Sequence, residues 1–173
     1  MVSVITGIDR KILGGEDLRT ASIAQRMCWA SKRETTRVED IAYCLMGTFG
    51  VNMPLLYGEG EKSFIRLQEE IMKESDDHSL FAWRDSMASD ESVQGLLARS
   101  PARFARSGNM APFRCWEAST PYSMTNKGLC IQLHLIPPNK EEDVYLAALD
   151  CEAIRPVNIQ PGIWLKRVTS RGD

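Results

Sequence analysis

Residues 36–74 read TRVEDIAYCLMGTFGVNMPLLYGEGEKSFIRLQEEIMKE, and how this stretch folds decides the architecture. Thr36-Arg37-Val38-Glu39 is a capping-box pattern, in which the hydroxyl and the carboxylate each satisfy a backbone N–H left open at a helix start. The apolar residues Ile41, Ala42, Cys44, Leu45, Met46 and Phe49 follow, and Gly50 stands where a helix would stop. A helix from Thr36 to Phe49, buried on most sides, is the expectation. From Gly60 to Glu74, Phe64, Leu67 and Ile71 form one apolar stripe, and Glu69 and Lys73 are spaced for a surface i, i+4 ion pair. Between the two helices, Pro54 disfavours helical geometry at Met53, and Gly58 and Gly60 free the backbone for unusual torsions. An ordered loop follows from that composition.

Upstream, Ser22–Lys32 places Ile23, Met27 and Ala30 on one face with Arg26, Ser31 and Lys32 toward water, a second amphipathic helix. Downstream, Ser75–Ser79 reads as an exposed polar turn carrying His78, LFAW as a short buried element, and Arg84–Ser92 as a polar linker. Ser100-Pro101 is an N-cap and N1 pair for a short helix, broken at Ser107-Gly108-Asn109. From Gly128 the period changes to two: Leu129, Ile131, Leu133 and Leu135 alternate with Cys130, Gln132, His134 and Ile136. Val144–Cys151 and Ile163–Thr169 are further strands, after a turn at Pro137–Lys140. The expected fold class is α+β: a helical subdomain over 1–84 packed with an antiparallel β-sheet in 85–173.

At 173 residues the chain can bury a core without disulfides or metal. Its 43% apolar and 25% charged content is globular, and a formal charge of -2 with interspersed signs argues against nucleic acid as a partner. The start of the sequence has no apolar run long enough for a signal peptide or membrane span, so the cytoplasm is the expected location and no membrane partner is expected. Five cysteines, widely spaced and without a CxxC pair, read as reduced, buried thiols. With only His78 and His134 beside them, no local zinc motif exists, and no metal or cofactor is expected.

Catalytic motifs are sparse in the sequence. Gly58-Glu59-Gly60-Glu61-Lys62-Ser63 has glycines ahead of a Lys-Ser pair, but lacks the four-residue spacing of a phosphate-binding loop and places two carboxylates where phosphates would sit. No Gly-x-Ser-x-Gly elbow occurs. Neither histidine lies in a local catalytic motif, and Glu69-Glu70 and Glu141-Glu142 are solvated charge rather than converging acids. The terminal Arg171-Gly172-Asp173 is taken as a fortuitous turn.

A long stretch, Ala24 to Trp83, resembles the segment that follows the HET domain in filamentous-fungal heterokaryon-incompatibility proteins. Its carriers are Arg33-Glu34-Thr35-Thr36-Arg37-Val38-Glu39-Asp40, Ala42-Tyr43-Cys44-Leu45-Met46-Gly47, Asn52-Met53-Pro54-Leu55-Leu56-Tyr57-Gly58-Glu59-Gly60 and Phe64-Ile65-Arg66-Leu67-Gln68. Gly95-Leu96-Leu97-Ala98, Ser100-Pro101, Pro121-Tyr122-Ser123 and Thr125-Asn126-Lys127-Gly128-Leu129 resemble the region that continues after it. The resemblance implies a part in non-self recognition and the cell death that follows hyphal fusion, for the whole protein. Any toxic activity of the Toll/interleukin-receptor-like type would belong to the family's upstream portion and is not carried over.

Two functions from different classes remain, beside a third reading as a scaffold with no activity of its own. The first is a non-enzymatic regulatory or interaction module that binds a protein partner or self-associates, helped by an unpaired strand edge near the C-terminus. The second is a small-molecule or nucleotide-binding enzyme with its site at the Asn52–Lys62 loop, where Arg37, Tyr57, Glu59 and Lys62 would be the ligand contacts.

Overall fold

A computed structural model describes residue 3 and residues 6–84, 94–112, 122–136, 143–155 and 159–168. The chain is α+β, with short helices first and antiparallel strands after them. The helices are α1 (Arg10–Leu13), α2 (Ile23–Trp29), α3 (Asp40–Tyr43), α4 (Met46–Phe49) and α5 (Lys62–Glu74). Single 3₁₀ turns occur at Leu18–Thr20, His78–Phe81 and Pro101–Phe104. The polar linker beyond Arg84, the Pro137–Lys140 turn, Cys115 and the final Arg-Gly-Asp fall outside the described residues.

Helix α5 forms as its stripe predicts: Phe64, Leu67 and Ile71 are buried, joined by Gln68 and Met72. The expected Glu69–Lys73 pair is replaced by Lys73 Nζ donating to Glu70 at 2.7 Å, an i, i+3 bridge. Two other expectations are corrected. The helix expected from Thr36 to Phe49 is two single turns, α3 and α4, hinged at Cys44-Leu45, and the first carries no side-chain cap. Gly47 and Thr48 are poor helix formers and leave α4 little intrinsic drive. Gly50 does stop it, at φ 69° in the left-handed region that suits glycine. Arg26, expected in water, is buried, its guanidinium 4.7 Å from the Phe49 ring centroid and donating to the Thr48 carbonyl.

The capping box exists elsewhere, at Ser22-Ile23-Ala24-Gln25, where Ser22 Oγ accepts from Gln25 N and Gln25 Oε1 accepts from Ser22 N. The remaining amides of this first turn are taken by the SDDHS segment. Asp77 Oδ2 accepts from Ile23 N at 2.8 Å and Ser79 Oγ from Ala24 N at 3.0 Å, while Asp77 Oδ1 also caps its own 3₁₀ turn at Ser79 N. A stretch that reads as solvated turn is thus the cap that seats α2.

One core draws on both sides of position 84. Ile23, Met27, Phe64, Leu67, Leu80 and Phe81 meet Ala98, Phe104, Tyr122, Leu149 and Cys151. Buried Gln68 bonds Ala98 in both directions: Nε2 donates to the Ala98 carbonyl at 2.7 Å and Oε1 accepts from Ala98 N at 3.0 Å. Helix α2 packs on the Pro101–Phe104 turn so closely that a Cβ at Gly108 would lie 2.8 Å from Cys28 Sγ. Gly108→Ala is therefore expected to cost about 1–3 kcal/mol by overpacking. Thermal unfolding of the single variant and of Gly108→Ala with Cys28→Ala, which should recover most of the loss, checks it.

The described strands are all antiparallel: β1 (Met110–Pro112) with β6 (Cys151–Ala153), β2 (Ser123–Thr125) with β3 (Gly128–Cys130), and β4 (His134–Ile136), β5 (Val144–Ala148) and β7 (Gly162–Lys166) in the order β4-β5-β7. The strand expected over Gly128–Ile136 is two short ones, and the one over Val144–Cys151 divides into β5 and the start of β6. Leu129, Ile131 and Leu133 still pack on the core, so the alternation located the apolar face but not the breaks. In the three-stranded sheet Ala147 faces the core at 0% exposure, whereas the row Ile136, Leu146, Trp164 lies on the other face with Trp164 71% exposed. Cys44 and Cys130 are exposed rather than buried; Cys151 is buried, and burial pushes its thiol up to about 12.

Candidate functional site

The loop from Val51 to Glu61 is fixed from beneath by polar side chains of α3, of Glu39 just before it, and of α5. Glu39 does not cap its own helix. Its Oε1 accepts from Gly58 N at 2.8 Å and Gly60 N at 3.0 Å, and those glycines sit at φ 98° and 59°, where a side chain would strain the backbone. Hydrogen bonds from its own amide, then from Gly60 and Gly58, hold the Glu39 carboxyl below its ordinary range. Tyr43 Oη grips Leu56 in both directions, donating to its carbonyl and accepting from its amide, each at 2.8 Å. Arg66 of α5 forks onto the Glu59 carboxylate, with Nε 3.0 Å from Oε2, and donates through Nη2 to the Pro54 carbonyl at 2.9 Å. Every one of these anchors is charged or phenolic, and charge-assisted bonds are the strong ones.

Of the sequence-predicted ligand contacts, Arg37, Tyr57 and Glu59 come together at this loop. The Arg37 guanidinium lies 4.8 Å from the Tyr57 ring centroid, and the Tyr57 hydroxyl donates to Asp40 Oδ1 at 3.0 Å. That bond to the carboxylate is the main reason the phenol's pKa rises. Glu59 is turned inward to Arg66, and Lys62 stands exposed at the first position of α5. Tyr43, Glu39, Asp40 and Arg66 complete the site, and none of them is among the contacts expected from the sequence. The signal available for them was the density of hydrogen-bonding side chains flanking a glycine-bounded loop.

What the anchors display is apolar. Leu55, Leu56 and Tyr57 are 54%, 52% and 52% exposed, and Val38, beside the Glu39 that holds Gly58, is 54% exposed. Among the described residues no group of three or more histidine, cysteine or acidic side chains is placed to hold a metal ion, and no helix is long and apolar enough to cross a membrane. A family model, Domain of unknown function (DUF8212), matches residues 62–120. The vegetative incompatibility protein HET-E-1 of Podospora anserina is 48% identical over 75 residues, a match covering 43% of this chain and 6% of that protein. Over that stretch the chain is related to a fungal incompatibility protein. No solved structure matches it significantly. The family model enters at Lys62 and so takes in α5, which carries Arg66, the strut under the loop.

Lowering the pH tests the Glu39 clamp. Because its folded pKa is depressed, its contribution is fully present above the ordinary glutamate value of 4.5 and is lost as pH falls through the lower folded value. The expected result is that the Gly58 and Gly60 amides gain exchange, beyond the intrinsic pH trend, only below about pH 4.5. Glu39→Gln should show the faster exchange already at neutral pH.

Proposed function

We propose that the chain is a non-enzymatic interaction module of a fungal incompatibility protein, whose contact surface is the Leu55-Leu56-Tyr57 loop with Val38 and Arg37 at its border. The observation that carries this reading is the pairing of three consecutive half-exposed apolar side chains with a backbone already immobilised by Glu39, Tyr43 and Arg66. A rigid apolar epitope has little ordering entropy left to lose on binding. Tyrosine and arginine are also the side chains that most often dominate interface energetics. In this reading Arg37 and Tyr57 touch the partner, Lys62 lies at the rim, and Glu59 acts as an internal strut. Similarity to the Podospora protein supports a role in incompatibility, and with it non-self recognition leading to cell death in the cytoplasm of fused cells. The row ending at Trp164 on β7, an edge strand among the described residues, is a second surface, suited to self-association.

Replacing Leu56 and Tyr57 by serine should leave the melting temperature within a few degrees of the parent. The same change should weaken partner binding at least tenfold, since central apolar anchors are each worth about 2 kcal/mol. Affinity capture from fungal extract followed by titration of the purified partner, with sedimentation to separate self-association, reads both quantities. Unchanged partner affinity in the double variant would remove the loop from the account.

A further inference from the structure

His78 is 3% exposed, although Asp76 and Asp77 precede it. It opens the 3₁₀ turn whose cap, Asp77, also seats α2, and its ring packs between Phe81 and Tyr122 at centroid distances of 6.2 and 6.1 Å. Its Nδ1 faces two groups of one residue on the turn between β5 and β6: Asp150 N at 3.2 Å and Asp150 Oδ2 at 3.4 Å. These partners demand opposite protonation states. A bare Nδ1 accepts the amide proton, whereas a protonated Nδ1 opposes donor to donor at the amide and donates to the carboxylate instead. The other backbone contacts of this turn are independent of protons, with Leu149 N donating to the Pro161 carbonyl and Gln160 Nε2 to the Leu149 carbonyl.

We propose that His78 is a proton-operated latch between the helical turn His78–Phe81 and the β5–β6 turn. In the neutral state Nδ1 holds the Asp150 amide and the Asp150 side chain stays 45% exposed. On protonation Nδ1 releases the amide and donates to the carboxylate, whose Oδ2 already lies 3.4 Å away. The titratable groups around the ring are Asp150, Asp77 and Asp76, the Tyr122 phenol and the Cys151 thiol, and the charge of Arg26 acts on Asp77. Burial of the phenol and of the thiol raises both, so each stays protonated beside the ring. The latch lies where α2, the core and the strands meet, so protonation exchanges a backbone tether for a side-chain tether at the joint between the helical and β portions.

The test follows the imidazole ¹⁵N shifts and the exchange of the Asp150 amide on the full chain from pH 8 to 5. The expected result is a neutral ring protonated on Nε2 at high pH, and at least a tenfold gain in Asp150 amide exchange, beyond the intrinsic pH trend, as the ring takes its second proton. The Gly58 and Gly60 amides should show no such gain. His78→Asn, which presents an amide oxygen near the Nδ1 position, should abolish the transition. Asp150→Asn, changing a half-exposed side chain, keeps the amide but removes the receiver, so the transition should move to lower pH. A ring protonated on Nδ1 at pH 8, Asp150 exchange indifferent to ring protonation, or a transition unmoved in Asp150→Asn would each overturn the latch.

Discussion

Phe81→Ala is expected to destabilise the protein by about 4 kcal/mol, the range for emptying a buried phenylalanine site that cannot collapse. Phe81 is 2% exposed and stands in the core that the helices and the strands share. Its ring meets Tyr122 at 6.0 Å, edge on, and His78 at 6.2 Å, while the turn that carries it also caps α2. The loss therefore has two parts, a cavity and the loosening of a cap. Denaturant unfolding should show the midpoint falling with the slope unchanged. A loss under about 1 kcal/mol, below what a filled core site costs, would mean that the helices and strands do not share this core.

Gln68→Leu is the second large effect, expected near 3 kcal/mol despite an increase in hydrophobicity and little change in volume. The leucine leaves both the N–H and the carbonyl of Ala98 unpaired in a site closed to water, and an orphaned buried polar group costs about 1–3 kcal/mol. Gln68→Glu should be no better, since its carboxylate repels the Ala98 carbonyl that the amide nitrogen now serves. A neutral or stabilising Gln68→Leu, read from the same unfolding curves, would show that residues 94–98 are not held by this pair. The side-chain bond of Trp83 Nε1 to the Leu96 carbonyl would still tether them.

How much of this was legible depends on whether the deciding partner was near in sequence. Helix α5 was, because its stripe repeats within thirteen residues and needs nothing else. The stop at Gly50 was local too. Glu39 was not: three residues after a threonine it matches a capping box, and only the fold reveals that amides nineteen and twenty-one residues away outbid its own helix. Asp77 and His78 misled for the same reason. Polar neighbours mark a surface turn in isolation, yet Asp77 serves an amide fifty-four residues upstream and His78 one seventy-two residues downstream. The candidate loop was visible as glycine-bounded and aromatic, and Arg37, Tyr57 and Glu59 were named from that. That Glu59 turns inward to Arg66, while Leu55 and Leu56 turn outward, required the geometry.

Site-specific photo-crosslinking can establish whether the immobilised Leu55-Leu56-Tyr57 loop is a contact surface. A photoreactive residue is placed in turn at position 57 and at position 73, whose lysine side chain is 60% exposed. Position 73 lies eleven residues beyond Lys62 on α5, about 16 Å along the helix axis. In living fungal cells we expect a discrete, light-dependent protein adduct from position 57 and none from position 73. Equal labelling from both positions, or no adduct from position 57, would contradict the account.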